Sequence, residues 1–186
     1  MASVGKSAKQ KGKAFEREIA NFLSTTLNVG DFTRVPNSGA YFGGKNKHRT
    51  TIKSNSTIKL MRGDIIAPDK YNIIIECKNH KTLLGGFYNI MAGHNNVLDK
   101  WLTEIYLDSD NNALINMLVF KISNTGTTFF CLPLNHFKEI KFYCDAHELT
   151  YSFYNCQSLQ TLYLIIEKNV FVKTQQLFKT LIKIKK

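Results

Sequence analysis

Between residues 12 and 27, apolar side chains fall at Phe15, Ile19, Phe22, Leu23 and Leu27. This is the three-and-four spacing of one helical face, and the run ends at Asn28 and Gly30. The pattern predicts an amphipathic helix preceded by a basic, mobile arm over residues 1–10. Residues 31–37 read as a short strand. Over 38–62, Gly, Lys, Asn, Ser and Thr replace any apolar period, predicting a long loop with room for a small hairpin. Segments 64–67 and 72–78 flank the turn Pro68-Asp69-Lys70, and the β-branched run Ile73-Ile74-Ile75 marks a central hairpin. Val97, Leu98, Trp101, Leu102, Ile105 and Tyr106 predict a second helix. Strands follow at 114–123 and 128–134, joined by the turn signal Asn124-Thr125-Gly126. Beyond Pro133 the chain reads as short strands near 140–144, 149–154 and 161–167. A terminal helix then carries Leu177, Phe178, Leu181 and Ile182 on one side. This order predicts an α/β fold, a mixed sheet with helices packed on it.

At 186 residues and 44% apolar composition, one domain is expected, and a chain of this size folds without a disulfide or metal staple. Cys77, Cys131, Cys144 and Cys156 form no CxxC pair, and Cys144, His147 and Cys156 lack zinc-finger spacing. The first dozen residues lack the apolar stretch of a secretory signal. No run approaches the ~20 apolar residues of a membrane span. A soluble protein of a reducing compartment, cytoplasmic and without a membrane partner, is the expectation. The net charge of +11 points to a polyanionic partner or an anionic membrane surface. Residues 1–62 hold twelve Lys and Arg against three acids, which favours a located binding face over diffuse solubility charge.

On a helical wheel Glu16 falls inside the apolar arc of the first helix, Glu18 lies at its edge and Arg17 faces solvent. A carboxylate aimed at a core costs several kcal/mol unless it meets a cation, a donor or a metal; the plain alternative is a first-turn glutamate favoured by the helix dipole. In the strand through Glu76, period-two alternation puts Ile73, Ile75 and Cys77 on one face and Ile74, Glu76 and Lys78 on the other. A surface Glu-Lys pair is common and contributes little, but it does not account for Asp64, Glu76, Lys78 and an inward Glu16 converging. An aspartate and a glutamate in proximity repel unless a cation sits between them. With a backbone carbonyl they make a hard-oxygen site suited to Mg²⁺. Such an ion polarises a phosphodiester and activates a water, and the adjacent lysine can orient or deprotonate that water and offset charge developing on phosphorus. Other features read as structural: His80, His94, His136 and His147 share no motif, Gly85-Gly86 is a turn, Trp101 has core spacing, and Lys179, Lys183, Lys185 and Lys186 form a solvated face.

Gly63-Asp64, about a dozen residues, and then Glu76-Cys77-Lys78 resemble the core of the PD-(D/E)XK nuclease superfamily, with Gly63 where proline is usual. Two further segments, Lys11-Gly12-Lys13-Ala14-Phe15-Glu16-Arg17 and Arg34-Val35-Pro36-Asn37-Ser38-Gly39, are similar to the helix-1 and R-x-P-x-S-G motifs of archaeal-type Holliday junction resolvases. The resemblance implies a restriction-endonuclease-like mixed sheet flanked by helices. It places a nuclease core at 1–134, with an inserted basic loop at 40–62, and a β-rich and helical extension at 135–186 packed on the same domain. It implies Asp64, Glu76 and the Cys77 backbone carbonyl as metal ligands, with Glu16 at one remove through water, and Lys78 as the catalytic lysine. Ser38 matches a serine kept near the scissile phosphate. Lys11, Lys13, Arg17, Arg34, Lys45, Lys47, Arg49 and Arg62 are the expected DNA contacts.

The cofactor implied is Mg²⁺, with Mn²⁺ able to substitute and no small-molecule cofactor. The implied activity is that of a homodimer that nicks opposed strands of a four-way DNA junction. Its place would be the cytoplasm, a host's if a virus encodes it, and the Lys-, Asn- and Ile-rich composition fits an AT-rich virus or mobile element. Two competing readings stay open: a nuclease acting on flaps, ends or duplex DNA, and a basic nucleic-acid-binding module whose acidic cluster is structural. Two departures from the resemblance bear on them, the roughly 25-residue connection from Ser38 to Asp64 and the stretch of about 50 residues after Pro133.

Overall fold

The β-branched run that predicts a central hairpin lies near the middle of a seven-stranded sheet. The computed structural model describes residues 4–36, 62–81, 96–109 and 114–183. Among them are seven strands, β1 (Thr33–Arg34), β2 (Ile65–Ile66), β3 (Ile73–His80), β4 (Ile115–Ile122), β5 (Thr127–Pro133), β6 (Tyr151–Cys156) and β7 (Thr161–Glu167), and four helices, α1 (Val4–Leu27), α2 (Asn96–Asp108), α3 (Lys138–Ala146) and α4 (Lys168–Leu181). The sheet order is β1-β2-β3-β4-β5-β7-β6. Every neighbouring pair is antiparallel except β3 and β4, which run parallel from Ile73 opposite Ile115 to His80 opposite Ile122. A parallel pair needs a crossover, and α2 stands between these two strands in the chain. The α/β architecture with a mixed sheet is as expected from the order of elements.

Strand alternation sorts the core into two faces. Ile73, Ile75 and Cys77 of β3 join Met117, Val119, Phe130, Leu132, Leu164 and Ile166 in one cluster, covered by Phe15, Ile19, Leu23 and Leu27 of α1, by Ile140 and Cys144 of α3, and by Phe171 and Phe178 of α4. On the opposite face Leu118, Phe120, Cys131, Tyr163 and Ile165 pack under Leu98 and Leu102 of α2, while Ile74 meets Ile105 and Leu114. Residues beyond 134 therefore supply two strands to the same sheet and two helices to the same core. All four cysteines are free and buried. No helix among the described residues is long and apolar enough to cross a membrane.

Two expectations are corrected. Most of the predicted N-terminal arm is helix, since α1 runs back to Val4. Its Lys, Ala and Gln have good helix propensity, and a helix already nucleated against a core propagates cheaply through Gly12. Residues 140–144 are also helical. The alternation of Ile140, Phe142 and Cys144 imitates a strand, but Phe137, Ile140 and Cys144 at helical spacing are the residues buried, and Phe142 is left exposed. Elsewhere the differences are of boundary: the strand expected at 31–37 shrinks to Thr33–Arg34. The helix end at Asn28 stands as read, with that residue in the left-handed region (φ 48°) and its N–H on the Ser24 carbonyl at 3.0 Å. The loop expected at 38–62 lies outside the described residues apart from Arg62.

Candidate active site

The site is built at the junction of β2 and β3. Asp64 precedes β2 and is tied to β3 at two points: its backbone N–H donates to the Ile75 carbonyl at 2.8 Å, and its side-chain Oδ2 accepts the Cys77 N–H at 2.9 Å. On its other side the Asp64 carbonyl accepts the Val35 N–H at 2.8 Å. An extended residue projects its N–H and C=O from the same strand edge, so the Cys77 carbonyl faces the edge that carries Asp64.

This close approach depends on Gly63, whose φ is +72°. A Cβ at that position would lie 2.7 Å from the Ile75 oxygen and 2.9 Å from Ile74 Cγ1. Proline, with φ locked near −65°, cannot adopt this conformation, which accounts for glycine standing where the resemblance leads one to expect proline. Gly63→Ala is expected to destabilise the protein by about 2 kcal/mol or more, checked by urea denaturation; a loss within experimental error would show that the turn can relax.

Glu76 and Lys78 project from the opposite face to Cys77, toward α2. Lys78 Nζ donates to Glu76 Oε1 at 2.8 Å and lies 3.4 Å from Glu104 Oε2. The Glu76 side chain is 17% exposed. Burial, then the nearby Asp64 charge, pushes its carboxyl up to about 8 against the pull of Lys78. Burial works to lower the Lys78 ammonium, but the charges and hydrogen bond of Glu76, with Glu104 and Asp64 behind them, win and raise it. The Cys77 thiol is held well above its usual value by burial and by the carboxylates of Asp64, Glu76 and Glu16, so it stays neutral.

The donor set fits a hard divalent ion. Among the described residues one oxygen of each carboxylate is engaged, Asp64 Oδ2 by an amide and Glu76 Oε1 by an ammonium. The second oxygens and the Cys77 carbonyl are oxygen donors of the kind such an ion takes. A cation there also offsets the like-charge repulsion that raises Glu76. No three His, Cys, Asp or Glu side chains among the described residues converge as a ready metal cage, so two carboxylates and a carbonyl are what this edge offers.

Glu16 stands on α1, which covers the Cys77 face of the sheet. It is inward as expected, 12% exposed, and the partner that resolves its burial is a cation: the Arg34 guanidinium Nε donates to Glu16 Oε2. The Glu16–Arg34 pair thus links the helix-1 segment to β1, one residue from the Val35–Asp64 hydrogen bond. Lys11 and Arg17 are exposed on α1 and Lys13 is half-buried. Arg62 is half-buried, and its charge bears on Asp108. Ser38, Lys45, Lys47 and Arg49 lie outside the described residues.

Sequence reasoning missed two acids that face this site. Glu104 and Asp108 lie one turn apart on α2, and burial raises the Asp108 carboxyl, with the Glu104 charge adding to it against the opposing Arg62. Both sit beside Trp101 at the border of the helix's apolar stripe rather than opposite it. That placement was the available signal.

A protein-family model described as "Phage putative PDDEXK endonuclease" matches residues 7–181. No curated protein and no solved structure matches the chain at a significant level. The match runs through β6, β7 and α4, so the segment after Pro133 is part of the family's pattern. With the restriction-endonuclease-like α/β sheet and the Asp64, Glu76 and Lys78 constellation in place, the chain belongs to this family of phage PD-(D/E)XK endonucleases.

Proposed function

We propose that this chain is a divalent-metal-dependent DNA endonuclease. Asp64, Glu76 and the Cys77 carbonyl hold the ion, Mg²⁺ first among candidates, and Lys78 acts on the scissile phosphate. The observation that carries the reading is the Lys78–Glu76 hydrogen bond set beside an Asp64 anchored to the Cys77 amide. A bound divalent ion polarises the phosphodiester and lowers the pKa of its water. Lys78, pinned by Glu76, presents an ammonium to a non-bridging phosphate oxygen or to that water. Asp64 is held against β3 by its own backbone and needs no rearrangement, so its charge is preorganised.

The finer part of the proposal is the substrate: a four-way junction, nicked in paired strands by a homodimer whose two-fold axis matches that of the junction. It is supported by the similarity of segments 11–17 and 34–39 to resolvase motifs and by the Glu16–Arg34 pair that joins them next to Asp64. Lys11, Lys13 and Arg17 on α1, with Lys45, Lys47, Arg49 and Arg62 from the basic connection, are proposed to supply phosphate contacts, and junction shape the selectivity. Ser38 is assigned to the scissile phosphate on the same resemblance.

The test incubates purified protein with an immobile four-way junction or a matched linear duplex, with Mg²⁺ or EDTA. Paired nicks near the branch point, dependent on Mg²⁺, are expected. Equal cutting of the duplex would keep the nuclease and discard junction selectivity. Salt-sensitive binding with no product under any condition would leave a nucleic-acid-binding module.

A further inference from the structure

Lys78 has a second anionic neighbour that the endonuclease constellation does not use. Glu104 approaches its Nζ to 3.4 Å from α2, across the interface from Glu76. The helix that carries it is firmly seated. Leu98, Leu102 and Ile105 are buried against the sheet, and at the first turn Asp99 Oδ1 accepts the Tyr154 hydroxyl at 2.6 Å, fastening α2 to β6. Asp99 Oδ2 lies 3.3 Å from the Ser158 hydroxyl. The Glu104 carboxylate is 47% exposed, so the pair contributes little to stability and its placement calls for another account.

We propose that Glu104 is a positioning residue for Lys78, the anchor that keeps the ammonium over the site while Glu76 serves the cation. This rests on the endonuclease reading above. Glu76 has two demands on it, since it holds Lys78 through Oε1 and also faces Asp64 as its companion ligand. A lysine on a flexible four-carbon stem with one shared anchor can wander by ångströms, a displacement that costs rate steeply. Glu104 stands on a different element, α2, and reaches Nζ from the helix rather than from the edge where Asp64 is tied to β3. It is therefore free to hold Lys78 without competing for the metal edge. The C-terminal strands enter the site by this route: β6 fixes Asp99, Asp99 fixes α2, and α2 presents Glu104.

The experiment compares the full-length wild type with Glu104→Gln, Glu104→Asp and Lys78→Ala. In metal-free protein the Lys78 ammonium is followed by its ¹H–¹⁵N signal, assigned by its loss in Lys78→Ala. Glu104→Gln is expected to speed ammonium hydrogen exchange several-fold or broaden the signal away, and Glu104→Asp to retain it in part. In single-turnover cleavage with Mg²⁺, Glu104→Gln is expected to lower the rate roughly tenfold with DNA affinity unchanged, and Glu104→Asp to recover part of the loss. An unaltered ammonium signal, or an unaltered rate, in Glu104→Gln overturns the proposal. If Lys78→Ala cuts DNA as well as wild type, Lys78 has no catalytic role and the catalytic part of this proposal falls, whereas wild type that yields no product under any condition removes the endonuclease reading itself. The ammonium signal separately decides whether Glu104 holds Lys78.

Discussion

Asp64→Asn is expected to abolish DNA cleavage, by about a thousandfold or more, while DNA binding stays within a few-fold of wild type. The substitution keeps shape and hydrogen bonding: the asparagine carbonyl can accept the Cys77 N–H that now goes to Asp64 Oδ2, and both backbone bonds to Ile75 and Val35 are unaffected. What it removes is a negative charge at a position 7% exposed and, with it, one of the two carboxylates proposed to hold the metal. An amide oxygen is a far weaker ligand for a hard divalent ion, and the amide nitrogen is no ligand at all. Binding is governed by phosphate contacts to Lys and Arg, to which Asp64 contributes nothing favourable. Denaturation curves matching wild type would establish that the fold is intact. Cleavage retained by the folded variant would remove Asp64 from the site, and the metal assignment with it.

How much of this was legible in the sequence differs by element. Strand β3 declared itself, because a triple isoleucine followed by Glu-x-Lys fixes both a central strand and, by period two, which face each side chain takes; Cys77 lies in the α1 cluster and Glu76 faces α2 as alternation requires. The inward aim of Glu16 was legible for the same kind of reason. Its partner was not, since Arg34 is distant in sequence and reads equally well as a phosphate contact. The 140–144 segment misled because three apolar residues in alternation satisfy a strand template as well as a helix one, and only tertiary burial of Ile140 and Cys144 decides between them. Glu104 and Asp108 gave no signal beyond their place at the border of the apolar stripe of α2, because nothing in a helical period says which strand the helix will cross. Their relevance comes from the parallel pairing of β3 and β4, which places α2 over Lys78.

Glu76→Gln is expected to abolish cleavage and, in metal-free protein, to raise stability at alkaline pH. The sign follows from proton linkage. The Glu76 carboxyl is pushed from an ordinary 4.5 up to about 8 in the folded protein, so between those values the folded state holds a proton that the unfolded state has released. Stability then falls as pH rises through this window. The contribution is fully present below about pH 4.5 and fully lost above about pH 8. At about 1.4 kcal/mol for each pH unit of the window, the change amounts to roughly a few kcal/mol. The glutamine side chain carries no titrating proton, keeps an oxygen for the Lys78 ammonium, and leaves Glu104 as that ammonium's charged neighbour. The variant's stability curve is therefore flatter across the window and lies above that of wild type at about pH 8–9. Saturating Mg²⁺ is expected to reverse the order, since an ion bound only by the folded wild type would stabilise it by mass action while the variant would lack one of the proposed ligands. Thermal denaturation of both proteins at about pH 5 and about pH 9, in EDTA and in Mg²⁺, checks all three statements. Parallel pH curves in EDTA would show that Glu76 ionises normally, and the cost of holding two carboxylates at one edge would then have to be relieved by a group other than the metal.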